Sequence, residues 1–185
     1  SDAATTTAAS AATATPALAP AATTPAPAPA AKPKLDTGDT AWILISTALV
    51  LLMTIPGLAL FYGGMVRKKN VLGTMAHSFM AAVIVSIVWV VIGYTLAFDS
   101  GNAFIGGFGK TMLSGITTDA LQGTIPEILF VIFQMTFAII TVAIISGSVA
   151  ERMKFGAFVA FITIWVIVVY APITHWVWGG GWLGA

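Results

Sequence analysis

Two clusters of side chains in this chain could do chemistry, and both are built mainly from aromatic rings. The first is Phe130, Phe133, Gln134, Phe137 and Thr141. Phe133, Phe137 and Thr141 stand four apart, so on a helix they share one face. A column of rings with a polar residue beside it can gate a narrow passage. The same stripe is also what ordinary helix packing or lipid contact requires. Gln134 is harder to assign to packing, because a primary amide in hydrocarbon needs partners; it must face another helix or a cavity. The second cluster is Trp176, Trp178 and Trp182, with the run Gly179-Gly180-Gly181 between the last two. Indole rings here fit an interfacial aromatic belt. They equally fit a site where a ring face attracts a small cation.

Other chemistry finds little support. His77 and His175 are the only histidines, and neither has a histidine or carboxylate at ligand spacing, so no metal site is expected. There is no cysteine, hence no disulfide, thiolate site or thiol nucleophile. No nucleophile–base constellation, phosphate loop or catalytic carboxylate pair is present, which argues against an enzyme. A net charge of +1 offers nothing to nucleic acid.

The elements that must position these clusters are membrane spans. The chain has 185 residues, 58% hydrophobic and only 8% charged. A soluble domain carries about 25% charged residues and could not cover its surface with so few. Four stretches lack Asp, Glu, Lys and Arg altogether: about 41–62, 71–98, 128–150 and 155–173. The first would make a helix about 33 Å long. A hydrocarbon core is about 30 Å thick. The fold class expected is an all-α, polytopic membrane helix bundle with four transmembrane helices. Pro56-Gly57 falls in mid-span, where neighbouring helices must satisfy the freed carbonyl. Ala143 and Gly147 form a small-xxx-small pair that points to close helix packing.

Orientation follows from charge. Arg67, Lys68 and Lys69 follow the first span, and Arg152 and Lys154 lie in the turn Glu151–Lys154. Short basic loops stay in the cytoplasm. The remaining cations, Lys32, Lys34 and Lys110, then lie outside. Both ends of the chain are expected on the extracytoplasmic side of the cell (inner) membrane. Residues 1–40 form an Ala/Thr/Pro-rich extracytoplasmic tail, expected to be disordered and lacking the basic start and apolar core of a secretory signal. Asp39 or Thr40 is the expected cap of the first helix. Residues 99–127 are expected to form an external loop with a short surface helix, and helical order in the fourth span should end by Thr174.

Four segments together resemble the ammonium transporter family (Amt/Mep, related to Rh proteins). They are Pro56–Gly64 with the basic loop after it, Phe133–Ala138, Ser148–Arg152 and His175–Gly181. The resemblance covers roughly Asp36 to Gly181, the whole membrane part. It implies transport of ammonium or methylammonium across the bilayer by a homotrimer of protomers that usually have eleven spans. It also implies a cytoplasmic PII-type signal protein as partner, and no cofactor. It further implies that Trp178 is the recruitment-site tryptophan, with Phe133 beside the outer site and Phe137 as a gate. In the family, the pore histidines and the acidic residue near the outer site come later than Ala185. His77 and His175 do not match those histidines. The chain therefore resembles an N-terminal portion holding the first four spans of the family's eleven. Two other readings stand beside this one: a transporter or channel subunit for another small solute, and a membrane sensor that binds ammonium without moving it.

Overall fold

The computed structural model describes residues 34–149 and 152–184. The expected tail falls mostly outside them. Four helices among these residues are long and apolar enough to cross a membrane: α1 (Thr37–Met65), α2 (Lys68–Phe98), α3 (Glu127–Val149) and α4 (Phe155–Trp178). The expected all-α bundle with four spans is what the chain forms. Between 17% and 39% of each span's most apolar window is buried. Most of each helix surface therefore remains for lipid or for further protein.

The α2 helix packs against all three others. Its inner stripe, Ala81, Val85, Trp89 and Ala97, meets Val131, Ala138 and Val142 of α3 and Phe158, Ile162 and Val166 of α4. Small residues on α2 bring the helices close, and the large ring of Trp89 fills the centre. Trp89 is fully buried, and its indole nitrogen donates to the Val131 carbonyl at 3.2 Å. Its ring meets those of Tyr94, Phe98 and Tyr170 edge to face at about 6 Å. Such contacts contribute beyond the area they bury. The small-residue pair on α3 also behaves as expected. Ala143 is buried, and a Cβ on Gly147 would stand 2.2 Å from the Tyr62 ring of α1.

Three of the spans widen into a π-helical turn: Met53–Leu58, Trp89–Gly93 and Val166–Tyr170. The first contains Pro56. The chain answers the missing N–H by a local change of helix type. The other two fall on runs rich in β-branched residues, which crowd the preceding turn.

Sequence expectations shift at the helix ends. Asp36, not Asp39 or Thr40, caps α1: its Oδ1 accepts from the Gly38 and Asp39 amides at 2.7 and 2.9 Å. That position lets one carboxylate satisfy two orphan donors. Asp39 lies instead in the first turn, where its charge suits the helix dipole. The fourth span continues through Thr174 to Trp178: Pro172 falls just after the π turn, and no glycine or proline stands between it and Gly179. The segment between α2 and α3 carries only a single 3₁₀ turn at Thr111–Leu113 and a hairpin. In that hairpin β1 (Leu121–Gln122) pairs antiparallel with β2 (Ile125–Pro126), with Gly123 at φ +63° taking the tight turn. The hairpin is clipped to the start of α1. The Asp36 amide donates to the Thr124 carbonyl at 2.9 Å, and the Thr124 hydroxyl donates to Asp39 Oδ2 at 2.5 Å.

Candidate functional site

Each cluster picked out by chemistry sits on its own helix, and one cavity joins them. It has a volume of about 340 Å³ and is lined by Phe133, Gln134, Phe137 and Thr141 of α3 and by Tyr170 and Trp178 of α4. The α3 residues fall on one face over about two turns, as their spacing requires. Tyr170 and Trp178 are eight apart, again about two turns of one face. The Phe133 and Phe137 rings meet edge to face, 5.0 Å between centroids and 84° between planes. Phe137 is 38% exposed and Trp178 70% exposed, so both present ring surface to open space. The Thr141 hydroxyl donates to the Phe137 carbonyl at 2.7 Å, which leaves its oxygen lone pairs for the cavity. Gln134 is half-buried at the same wall, as a primary amide among apolar helices must be.

Tyr170 is the member that sequence reasoning missed. Stepping back two turns from Trp178 along one helical face would have found it. That step depended on Trp178 being helical, and the expected end of helical order near Thr174 concealed it. The α4 π turn ends at Tyr170, and the ring leans on Trp89 in the core and on Trp165. The lining ring is therefore held from behind by packed aromatics.

A rigid frame holds the Trp178 end of α4. His175, 2% exposed, sits between two main-chain carbonyls: Nδ1 lies 3.0 Å from the Ala97 oxygen at the end of α2, and Nε2 lies 2.8 Å from the Asn102 oxygen. Asn102 in turn organises the loop, its Oδ1 accepting from the Phe104 and Ile105 amides. The Trp176 indole donates to the Phe104 carbonyl at 2.7 Å, and the Trp182 amide donates to the Ala103 carbonyl at 3.3 Å. The three tryptophans thus divide. Trp176 and Trp182 meet at a tilt, 6.1 Å between centroids and 52° between planes, and tie the loop, while Trp178 faces the cavity. Gly179 and Gly181 after it are there for space. A Cβ on Gly179 would stand 2.0 Å from the Ala97 oxygen, and one on Gly181 2.6 Å from the Trp176 Cα.

Two further carboxylates at this end, Glu127 and Asp99, are engaged in structure. Glu127, buried at the start of α3, accepts from the Tyr94 hydroxyl at 2.9 Å and from Lys110 Nζ at 2.5 Å. Asp99 accepts from the Ser100 and Gly109 amides at 2.9 and 2.6 Å. His77 lies at the opposite, basic end, with Nδ1 2.6 Å from the Gly73 carbonyl and its ring against Phe155 and Phe158. Among the described residues, no group of three His, Asp or Glu side chains could hold a metal ion.

A cavity of this make-up can attract a small cation through ring faces and orient it through an amide and a hydroxyl. It holds no group placed to form or break a covalent bond.

Known proteins resemble this chain in sequence and fold. The family model described as Ammonium Transporter Family matches residues 41–185. The ammonium transporter of Bacillus subtilis is 57% identical over 152 residues, which make up 81% of this chain and 37% of that protein. Ammonium transporter Amt1 of Archaeoglobus fulgidus is 42% identical, over 80% of this chain and 36% of its own. The crystal structure of Candida albicans Mep2 superposes with a TM-score of 0.74 at 38% identity, covering 82% of this chain and 34% of Mep2. The chain spans a little over a third of the length of the curated relatives it matches. On the match over residues 41–185 and these identities, the chain belongs to the ammonium transporter family.

Proposed function

We propose that this protein conducts ammonium or methylammonium across the cell (inner) membrane. In this reading Trp178 and Phe133 recruit the cation at the outer mouth and Phe137 gates the way inward. The observation that carries it is that one cavity gathers all three rings from two helices, with Gln134 and Thr141 as the polar lining. A desolvated aromatic constriction opposes a bare charge, so the recruited ion must lose a proton or be compensated further along the path. The hairpin end faces outward, and the end carrying Arg67, Lys68, Lys69, Arg152 and Lys154 faces the cytoplasm. The N-terminus is then extracytoplasmic. The working assembly is a homotrimer, and a PII-type signal protein docks on its cytoplasmic face.

The test is methylammonium uptake by the full-length protein in cells lacking their own ammonium transport. Rates are measured at several concentrations and normalised to protein in the membrane. A tryptophan face supplies about 0.5–2 kcal/mol of cation attraction. That corresponds to roughly a three- to thirty-fold change in affinity. Trp178→Leu should therefore raise the half-saturating concentration within that range. Phe137→Ala should widen the constriction and alter or abolish coupled transport. Unchanged rate and saturation in both variants would end the assignment.

A further inference from the structure

The cavity bounded by Trp178 is not the only opening at the outer end. A second, of about 450 Å³, lies between the start of α1, the hairpin and α3; Asp39, Trp42, Gln122, Phe130 and Phe133 are among its lining residues. Phe133 lines both cavities. The carboxylates nearby differ in what they can still bind. Glu127 is held by Lys110 and Tyr94, and Asp99 by two amides. Asp39 borders the second cavity; its Oδ2 accepts from Thr124, and the Thr124 bond fixes the carboxylate toward the hairpin. Trp42, one helical turn further along α1, lines the same space and is 72% exposed.

We propose that this second cavity is a waiting site for the transported cation: Asp39 supplies the charge, Trp42 the ring face, and the ion passes Phe133 to reach Trp178. The proposal rests on the functional reading above. A carboxylate beside an exposed indole attracts a small monovalent cation by charge and by the ring quadrupole, and lipophilic anions not at all. Asp39 acts by charge, so its effect must be screened by salt, with a Debye length of about 10 Å at 0.1 M. It raises the local concentration of ion ahead of the gate without taking part in passage. It therefore acts on half-saturation and leaves the maximal rate alone.

The experiment uses the full-length transporter in proteoliposomes, with methylammonium as the probe, at low and at high ionic strength. Asp39→Asn should raise the half-saturating concentration about threefold or more at low ionic strength, with unchanged maximal rate. The difference should shrink at high salt, and Asp39→Glu should restore the native value. Trp42→Leu, which leaves the start of α1 intact, should shift half-saturation about two- to fivefold in the same direction. Unchanged half-saturation in both Asp39→Asn and Trp42→Leu overturns the proposal. So does a loss confined to maximal rate, or a shift equally large at high salt, either of which makes Asp39 a structural residue of the first turn. Trp178→Leu run alongside separates the two readings. If it shifts and the Asp39 and Trp42 variants do not, only the waiting site fails; if it too is silent, the cavity behind Phe133 is not the cation's route.

Discussion

Gly179 shows how tightly the surroundings of the Trp178 ring are fixed. It follows Trp178 directly, and its amide donates to the His175 carbonyl at 3.0 Å. A Cβ there would lie 2.0 Å from the Ala97 carbonyl oxygen and 2.6 Å from His175 Nδ1. Neither the backbone oxygen nor a ring buried between two carbonyls can retreat cheaply. Gly179→Ala must therefore push the end of α4 away from α2, at a cost of about 1–3 kcal/mol for overpacking. The expected outcome in the full-length protein is a lower melting temperature in detergent. It should come with a rise in half-saturating methylammonium as Trp178 leaves the cavity mouth. Gly180→Ala is not a clean control, since Gly180 sits at φ +86°. Gly64→Ala is one, because nothing lies within 4 Å of its added Cβ. A melting temperature for Gly179→Ala equal to that of Gly64→Ala would show that the close approach is not rigid.

The α1–α3 contact makes the same argument between elements. Tyr62 lies on Gly147, and its hydroxyl reaches the Ile144 carbonyl at 3.4 Å. Gly147→Val adds two methyl groups beyond a Cβ already 2.2 Å from the ring, so the helices must part. Loss of about 1–3 kcal/mol is expected, read as a lower thermal transition of the full-length protein. An unchanged transition would mean that α1 and α3 do not depend on this contact. Much of this level could be read from residue order alone. Uninterrupted apolar runs mark the four spans, and small residues four apart mark the close packing. Spacing of four put Phe133, Phe137 and Thr141 on one face, and that face lines the cavity. Two things could not be read. The π turns fall at Pro56 and on β-branched runs, features that hydrophobic periodicity does not encode. Helix ends depend on which carboxylate reaches an amide, and Asp36 won over Asp39 by geometry, not by residue type. The misplaced end of α4 then hid Tyr170. The cavity itself is tertiary: nothing in either helix alone states that the Trp178 face of α4 meets the Phe137 face of α3.

The direction in which the four helices thread the bilayer decides which cavity is the entrance. Charge supplies the argument. Arg67, Lys68 and Lys69 join α1 to α2, and Arg152 and Lys154 join α3 to α4, all at one end. Lys110 is at the other end, where Glu127 neutralises it. Short loops rich in Lys and Arg remain cytoplasmic, and acidic residues contribute little to the rule. On this ground we propose that the hairpin end, where both aromatic cavities open, is outside. The sites to probe are Ser114 and Lys69, both exposed and on opposite ends. Residues 1–185 contain no cysteine, so a full-length protein freed of any others gives a silent background. Ser114→Cys should react with a membrane-impermeant maleimide added to intact cells. Lys69→Cys should react only after the membrane is permeabilised. Strong labelling of Lys69→Cys from outside, with Ser114→Cys protected, would invert the bundle. Trp178 and Phe133 would then lie at the exit, and neither recruitment by the indole nor waiting at Asp39 would have an ion to act on.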